Sequence, residues 1–167
     1  MLPDYLETGL DVVFVGLNPS LKSAEVGHYY AGPGNQFWPF QYEAGFTDRL
    51  LKPEEDAACL SYGIGLTDFV KRATRGVNDL ADREFQVDDV RLKIEEANPK
   101  CVCFNGKSGY QAAVGKCDYG LQDAEWNGIQ LYVAPSTSGA LPMKRIDKLK
   151  HYTAVRQLLH GQLTIDN

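Results

Sequence analysis

The run from Asp11 to Leu17, with Val-Val-Phe-Val-Gly-Leu at its heart, is almost continuously apolar. A strand with one wet face alternates polar and apolar residues, so this run suits a strand covered on both faces. Three shorter candidates follow, at about Ile64–Thr67, Lys100–Asn105 and Ile129–Ala134. Helix-like segments lie between them. One opens at Pro53-Glu54-Glu55-Asp56, with proline early and acids in the first turn. Another runs from Asp88 to Ala97, with Val90, Ile94 and Ala97 at helical spacing, and is stopped by Asn98-Pro99. Further helices are expected over Lys107–Val114 and Ile146–Leu159; in the last, Ile146, Leu149, Thr153, Arg156 and Leu159 mix on its faces. Strand–helix–strand alternation argues an α/β protein with a mainly parallel sheet and helices on both sides. In such folds ligands bind beyond the carboxyl ends of the strands, where the polar motifs of this chain lie.

Charge narrows the functions open to the chain. Its 167 residues hold 17 Lys and Arg against 22 Asp and Glu, a net charge of −5. The length suits one domain, taken as residues 1–167, and buries roughly two-thirds of the unfolded surface. Overall acidity excludes nucleic-acid binding by bulk charge, so any such binding needs a local basic patch. One is available: between Leu141 and His160, Lys144, Arg145, Lys148, Lys150 and Arg156 face a single acid, Asp147. No apolar run approaches the roughly 20 residues of a membrane span, and the N-terminus lacks a basic start followed by an apolar stretch. Cys101 and Cys103, two apart in a strand, point to one face and read as small buried hydrophobes; with Cys59 and Cys117 they offer no C-x-x-C metal pair. A reducing, cytoplasmic setting with no disulfide is expected.

Five motifs carry the chemistry. Gly16-Leu17-Asn18-Pro19-Ser20 ends the first strand: Gly16 permits close backbone approach, and Asn18 offers a carbonyl and an amide that suit a water or a substrate amide, unless it only forms a turn. Gly27 to Trp38 is a glycine-rich loop with aromatics on both flanks. Tyr29 and Tyr30 suit stacking on a planar base, Asn35 suits capping the helix that begins at Gln36, and Phe37 and Trp38 read as core. Asp68 directly follows the second strand, either as a proton acceptor or as an ordinary N-cap. Phe104-Asn105-Gly106-Lys107-Ser108 is a strand-to-helix turn without Walker spacing. Pro135-Ser136-Thr137-Ser138-Gly139-Ala140-Leu141-Pro142 offers hydroxyls and backbone amides for phosphates, and Leu141 an apolar wedge, ahead of Lys144 and Arg145.

In this order, from about Asp11 to Tyr152, the motifs resemble the mismatch-specific uracil-DNA glycosylase and thymine-DNA glycosylase family of the uracil-DNA glycosylase superfamily. The resemblance implies a three-layer α/β/α fold and hydrolysis of the N-glycosidic bond of uracil in DNA, leaving an abasic site. It implies no cofactor and no metal. Asn18 would hold the attacking water, Tyr30 would stack on the flipped base, Ser136 would contact phosphate, and Ala140-Leu141 would enter the duplex. Four positions depart from the pattern. Ser20 replaces a glycine, Tyr29 a histidine of the thymine-active branch, Asp68 an asparagine and Ala140 an arginine. The changes at Tyr29 and Asp68 bear on thymine activity, and the one at Ala140 on the wedge.

On this reading the expected partner is double-stranded DNA carrying uracil or another mismatched or damaged base, bound by a monomer. Gly16, Leu17, Tyr29, Tyr30 and Asn35 would line the base pocket. Ser136, Thr137, Ser138, Gly139, Ala140, Leu141, Lys144 and Arg145 would meet DNA. Backbone amides near Leu17 and in the Tyr29–Tyr30 loop would stabilise the uracil anion, while Asn18 and Asp68 would share the activation of water. A non-catalytic lesion-binding protein of the same fold is the alternative.

Overall fold

A computed structural model describes residues 1–75 and 86–164. Five strands form one sheet: β1 (Val12–Gly16), β2 (Ile64–Asp68), β3 (Cys101–Asn105), β4 (Gly120–Trp126) and β5 (Ile129–Ala134). Their order is β2-β1-β3-β5-β4, and every pairing is parallel except β4 with β5. All five residues of β1 are buried, as its unbroken apolar run requires.

The helices are α1 (Leu21–Val26), α2 (Phe37–Glu43), α3 (Val87–Ala97), α4 (Lys107–Ala113) and α5 (Arg145–Thr164). Side-chain alternation in the strands divides the core in two. Val12, Phe14, Cys101, Cys103 and Tyr132 pack with Phe37, Trp38 and Phe40 of α2 and Tyr152, Val155 and Leu159 of α5. On the other face, Val13, Val15, Val102, Phe104 and Val133 pack with Val90 and Ile94 of α3 and Tyr110 of α4. The result is the expected three-layer α/β/α arrangement, with helices on both faces of a mainly parallel sheet.

Three local expectations need correction. The segment opening at Pro53 forms a 3-10 helix over Pro53–Tyr62 rather than an α-helix. Its carboxylate Asp56 faces inward and is held by three donors, which ties this turn to the loop at His28 and Tyr29. Strand β4 escaped the sequence reading because Gln122, Asp123 and Glu125 break up its apolar residues and all of it but Trp126 is only partly covered or exposed. The stronger signal was the Asn127-Gly128 turn that joins it to β5: both residues have positive φ, at 51° and 84°, the conformation of a two-residue hairpin. In α5 the buried stripe is Lys148, Tyr152, Val155 and Leu159, while Ile146 is exposed. Lys148 belongs on this face because its ammonium donates to Ser138 O at 3.0 Å while its stem lies over the core.

Candidate active site

The carboxyl ends of β1, β2, β3 and β5 open onto one cleft of about 300 Å³. Gly16, Leu17, Asn18, Tyr29, Tyr30, Asn35, Asp68, Ser136, Thr137 and Ser138 all line it. Leaving β2, the chain continues against the end of β1, with Phe69 N donating to Gly16 O and Val70 N to Leu17 O. This extension places Asp68 beside the first motif. No helix follows Asp68 directly: residues 69–75 are non-helical, so the N-cap alternative falls away.

Asp68 is 4% exposed. Among the described residues no donor hydrogen-bonds its carboxylate, whose oxygen lies against Gly16; a Cβ at Gly16 would collide with Asp68 Oδ1. Burial raises the Asp68 carboxyl to about 7, against the opposing charge of Lys71 and with the help of Asp4. A proton acceptor poised near neutrality therefore faces the cleft.

Two asparagines present opposite ends to the same space. Asn18 Nδ2 donates to Arg72 O at 3.0 Å and to Thr74 Oγ1 at 2.9 Å. A backbone carbonyl accepts only from the amide, so the end of Asn18 left over is its carbonyl oxygen. Asn35 is the reverse: its Oδ1 accepts from Phe37 N at 2.9 Å, leaving its amide as the donor. The helix begins one residue later than expected, with Gln36 rather than Asn35 at its N-cap, but Asn35 still accepts from its first amide, and that bond orients the side chain that lines the cleft.

Tyr30 sits in the left-handed region, with φ of 55°, an uncommon conformation for an aromatic residue. One ring face is covered by Phe37, with centroids 4.0 Å apart and planes 15° apart. The Tyr30 hydroxyl is buried, and among the described residues it has no hydrogen-bond partner. Tyr29 departs from expectation. Its ring is buried in the core beside Tyr5, and its hydroxyl donates to Pro3 O at 2.7 Å, so it offers no platform to a base. The Tyr29 amide is also spent, on Asp56 Oδ2 at 2.9 Å, and the Ala31 amide on Ser23 Oγ at 3.0 Å. Those two donors drop out of the set expected to serve a leaving anion.

The serine-rich loop leaves β5 under firm control. Asn105 Nδ2 donates to Thr137 Oγ1 and Thr137 N donates back to Asn105 Oδ1, both at 3.0 Å. Ser136 Oγ accepts from Ser138 N, and Ser138 Oγ from Ala140 N. Gly139 and Ala140 are exposed at the tip, while Leu141 is half-buried, so Ala140 protrudes more than the expected Leu141. Much of the basic patch is committed internally. Arg145 makes a bidentate pair with Glu43 and also donates to Gln36 Oε1, Arg156 donates to Gly45 O, and Lys148 is buried. Lys144 remains exposed next to the loop.

Leu2, Ser23, Thr74 and Arg75 join the cleft without having been singled out in the sequence. Asn105 and Ser108 of the fourth motif also line it, although the sequence reading assigned them no role at the site; Asn105 ends β3 much as Asn18 follows β1. Leu2 gave no signal, because nothing local says where a terminal segment docks. A second groove near Asp4, Glu7, Lys93 and Glu96 carries an acidic excess unsuited to a polyanion.

The solution NMR structure of a protein from Methanosarcina acetivorans, presented as a candidate uracil DNA glycosylase, superposes with a TM-score of 0.67 at 24% identity, over 95% of this chain and 96% of that one. That likeness establishes the fold. The family model of the Uracil DNA glycosylase superfamily, whose members are DNA glycosylases, matches residues 3–160. With nearly its whole length matched, this chain belongs to the uracil DNA glycosylase superfamily.

Proposed function

We propose that the chain is a monofunctional glycosylase that excises uracil from DNA, from G·U mismatches above all, and leaves an abasic site. The observation that carries this reading is the buried Asp68 carboxylate, held near neutral pKa at a cleft shared with Asn18 and Tyr30. The nucleotide must leave the stack to react, at a cost of a few kcal/mol that is smallest for a mispaired base. Tyr30 receives the base on the ring face that Phe37 leaves open. Ala140, with Leu141 behind it, fills the gap in the duplex. The Ser136 and Ser138 hydroxyls meet phosphate, and Lys144 adds the exposed charge.

Rupture of the bond leaves cationic character on the sugar and a negative charge on uracil. Asn35 Nδ2 is a side-chain donor available to that anion. Water is aligned by Asn18 Oδ1 and loses its proton to Asp68, which works in its ionised form. No lysine lines the cleft among the described residues, in keeping with water rather than an amine as nucleophile. The departures at Tyr29 and Asp68 leave uracil as the favoured base over thymine.

The test is excision from labelled single- and double-stranded DNA carrying uracil or thymine opposite each base, read as strand breakage after alkali. Release from G·U duplex, with large losses in Asn18→Ala and Asp68→Asn, is expected. Tight duplex binding without abasic product would make the protein a lesion binder instead. An Asp68→Asn variant with the full rate would remove Asp68 as the base.

A further inference from the structure

Residues 2–5 run as a strap along the outside of β2. Tyr5 exchanges backbone hydrogen bonds with Leu66, at 2.9 and 3.0 Å, and Leu2 reaches the cleft. Between these two, Asp4 makes the densest polar cluster near the site. Lys71 Nζ donates to Asp4 Oδ1 at 2.8 Å and to the backbone oxygen of Asp68 at 2.7 Å, and lies 3.4 Å from Thr67 Oγ1. Thr67 Oγ1 and Lys93 Nζ complete the shell of Asp4, at 2.7 and 3.2 Å. The Asp4 and Lys71 side chains are less than one-fifth exposed, so their charges are poorly screened.

We infer that Asp4 and Lys71 are positioning residues for Asp68: the lysine grips the Asp68 backbone, and the strap's carboxylate balances the lysine's charge beside the site. This rests on the proposed role of Asp68 as the base. A lone ammonium on the Asp68 backbone would favour the ionised carboxylate against its burial and make Asp68 a weaker acceptor. Paired with Asp4, the ammonium supplies geometry with little net field. Burial works to raise Asp4, but hydrogen bonds from Lys71 and Thr67 prevail and hold it below its ordinary value. It therefore stays charged while Asp68 titrates. The two phenols around Asp68, Tyr29 and Tyr30, are pushed far upward by burial and do not change state in that range, and Arg75 adds a guanidinium at the cleft. Lys93, more than half exposed, reaches the cluster only through Asp4.

The two partners pull in opposite directions, and this makes the inference testable. Removing the lysine's charge with Lys71→Met should raise the Asp68 midpoint, and Asp4→Asn should lower it. Two readouts follow it: the acid limb of kcat/KM for uracil excision, and direct 13C titration of the Asp68 carboxyl in the full chain without DNA. A displacement of about one pH unit changes the rate roughly tenfold on the acid limb. Opposite displacements of about half a unit or more in the two variants support the pair. Displacements in the same direction, or none in either variant, overturn it. If the wild type excises nothing, the carboxyl titration still decides the electrostatic claim, while the glycosylase reading fails separately.

Discussion

Replacing Asp68 by asparagine should cost activity and raise stability, and the size of the gain depends on pH. The Asp68 carboxyl rises from 3.8 to about 7 on folding, chiefly through burial. Its folded pKa exceeds its unfolded one, so between those values the native state holds a proton that the unfolded chain has lost. Unfolding free energy therefore falls as pH rises through this window. Three units at about 1.4 kcal/mol each give about 4 kcal/mol in total, of which about 3 kcal/mol is lost between pH 5 and 8. That is a ceiling, because water entering the cleft relieves part of the burial. Urea denaturation of the wild type and Asp68→Asn at pH 5, 6.5 and 8 measures it. The variant should gain on the wild type steadily with pH, and match or exceed it at pH 8. Uracil excision should fall by about 10²–10⁴, the usual worth of a positioned base. In the wild type, kcat/KM should climb with pH and level off above about 7. Parallel stability curves across this range would refute the idea of a strained, buried carboxylate.

Other perturbations separate the remaining roles. Gly16→Ala drives a methyl into Asp68 Oδ1; it should cost about 1–3 kcal/mol by overpacking and displace the carboxylate, with a loss of kcat visible in single-turnover excision. Tyr30→Phe removes a buried hydroxyl that has no partner among the described residues. It should leave thermal stability unchanged or raise it by about 1 kcal/mol, and a clear drop in Tm would show that the hydroxyl is hydrogen-bonded in solution. Lys144→Ala should reduce the salt slope of duplex binding by about 1, since an exposed lysine on phosphate releases one counterion. Arg145→Ala, which breaks the pair with Glu43, should leave that slope nearly unchanged; an equal effect of both would return Arg145 to the DNA surface.

What the sequence reveals here follows from the range of the forces involved. Backbone periodicity and capping are local, so β1, α3 and α4 are legible from their own residues, and the glycine, asparagine and hydroxyl motifs at strand ends identify one edge of the sheet. Side-chain commitment is not local. Nothing near Tyr29 announces that Pro3, 26 residues away, takes its hydroxyl, or that Asp56 takes its amide. Arg145 reads as a free cation until Glu43, 102 residues away, is placed against it. Asp68 shows the same division. Its place at a strand end is visible in the chain, whereas its proton affinity depends on burial and on Asp4 and Lys71, which only the fold brings together.

The meeting of two loops has a consequence for how such a protein can change. Gly139 packs against the backbone of Gly34, where an added Cβ would come within 3.3 Å of Gly34 O, and Gln36 N donates to Thr137 O. The segment proposed to hold the base and the segment proposed to enter the helix therefore share a seam of main chain. Swapping either loop for one from a relative with other tastes would disturb its neighbour, so new substrate ranges should arise through paired replacements on both sides of that seam.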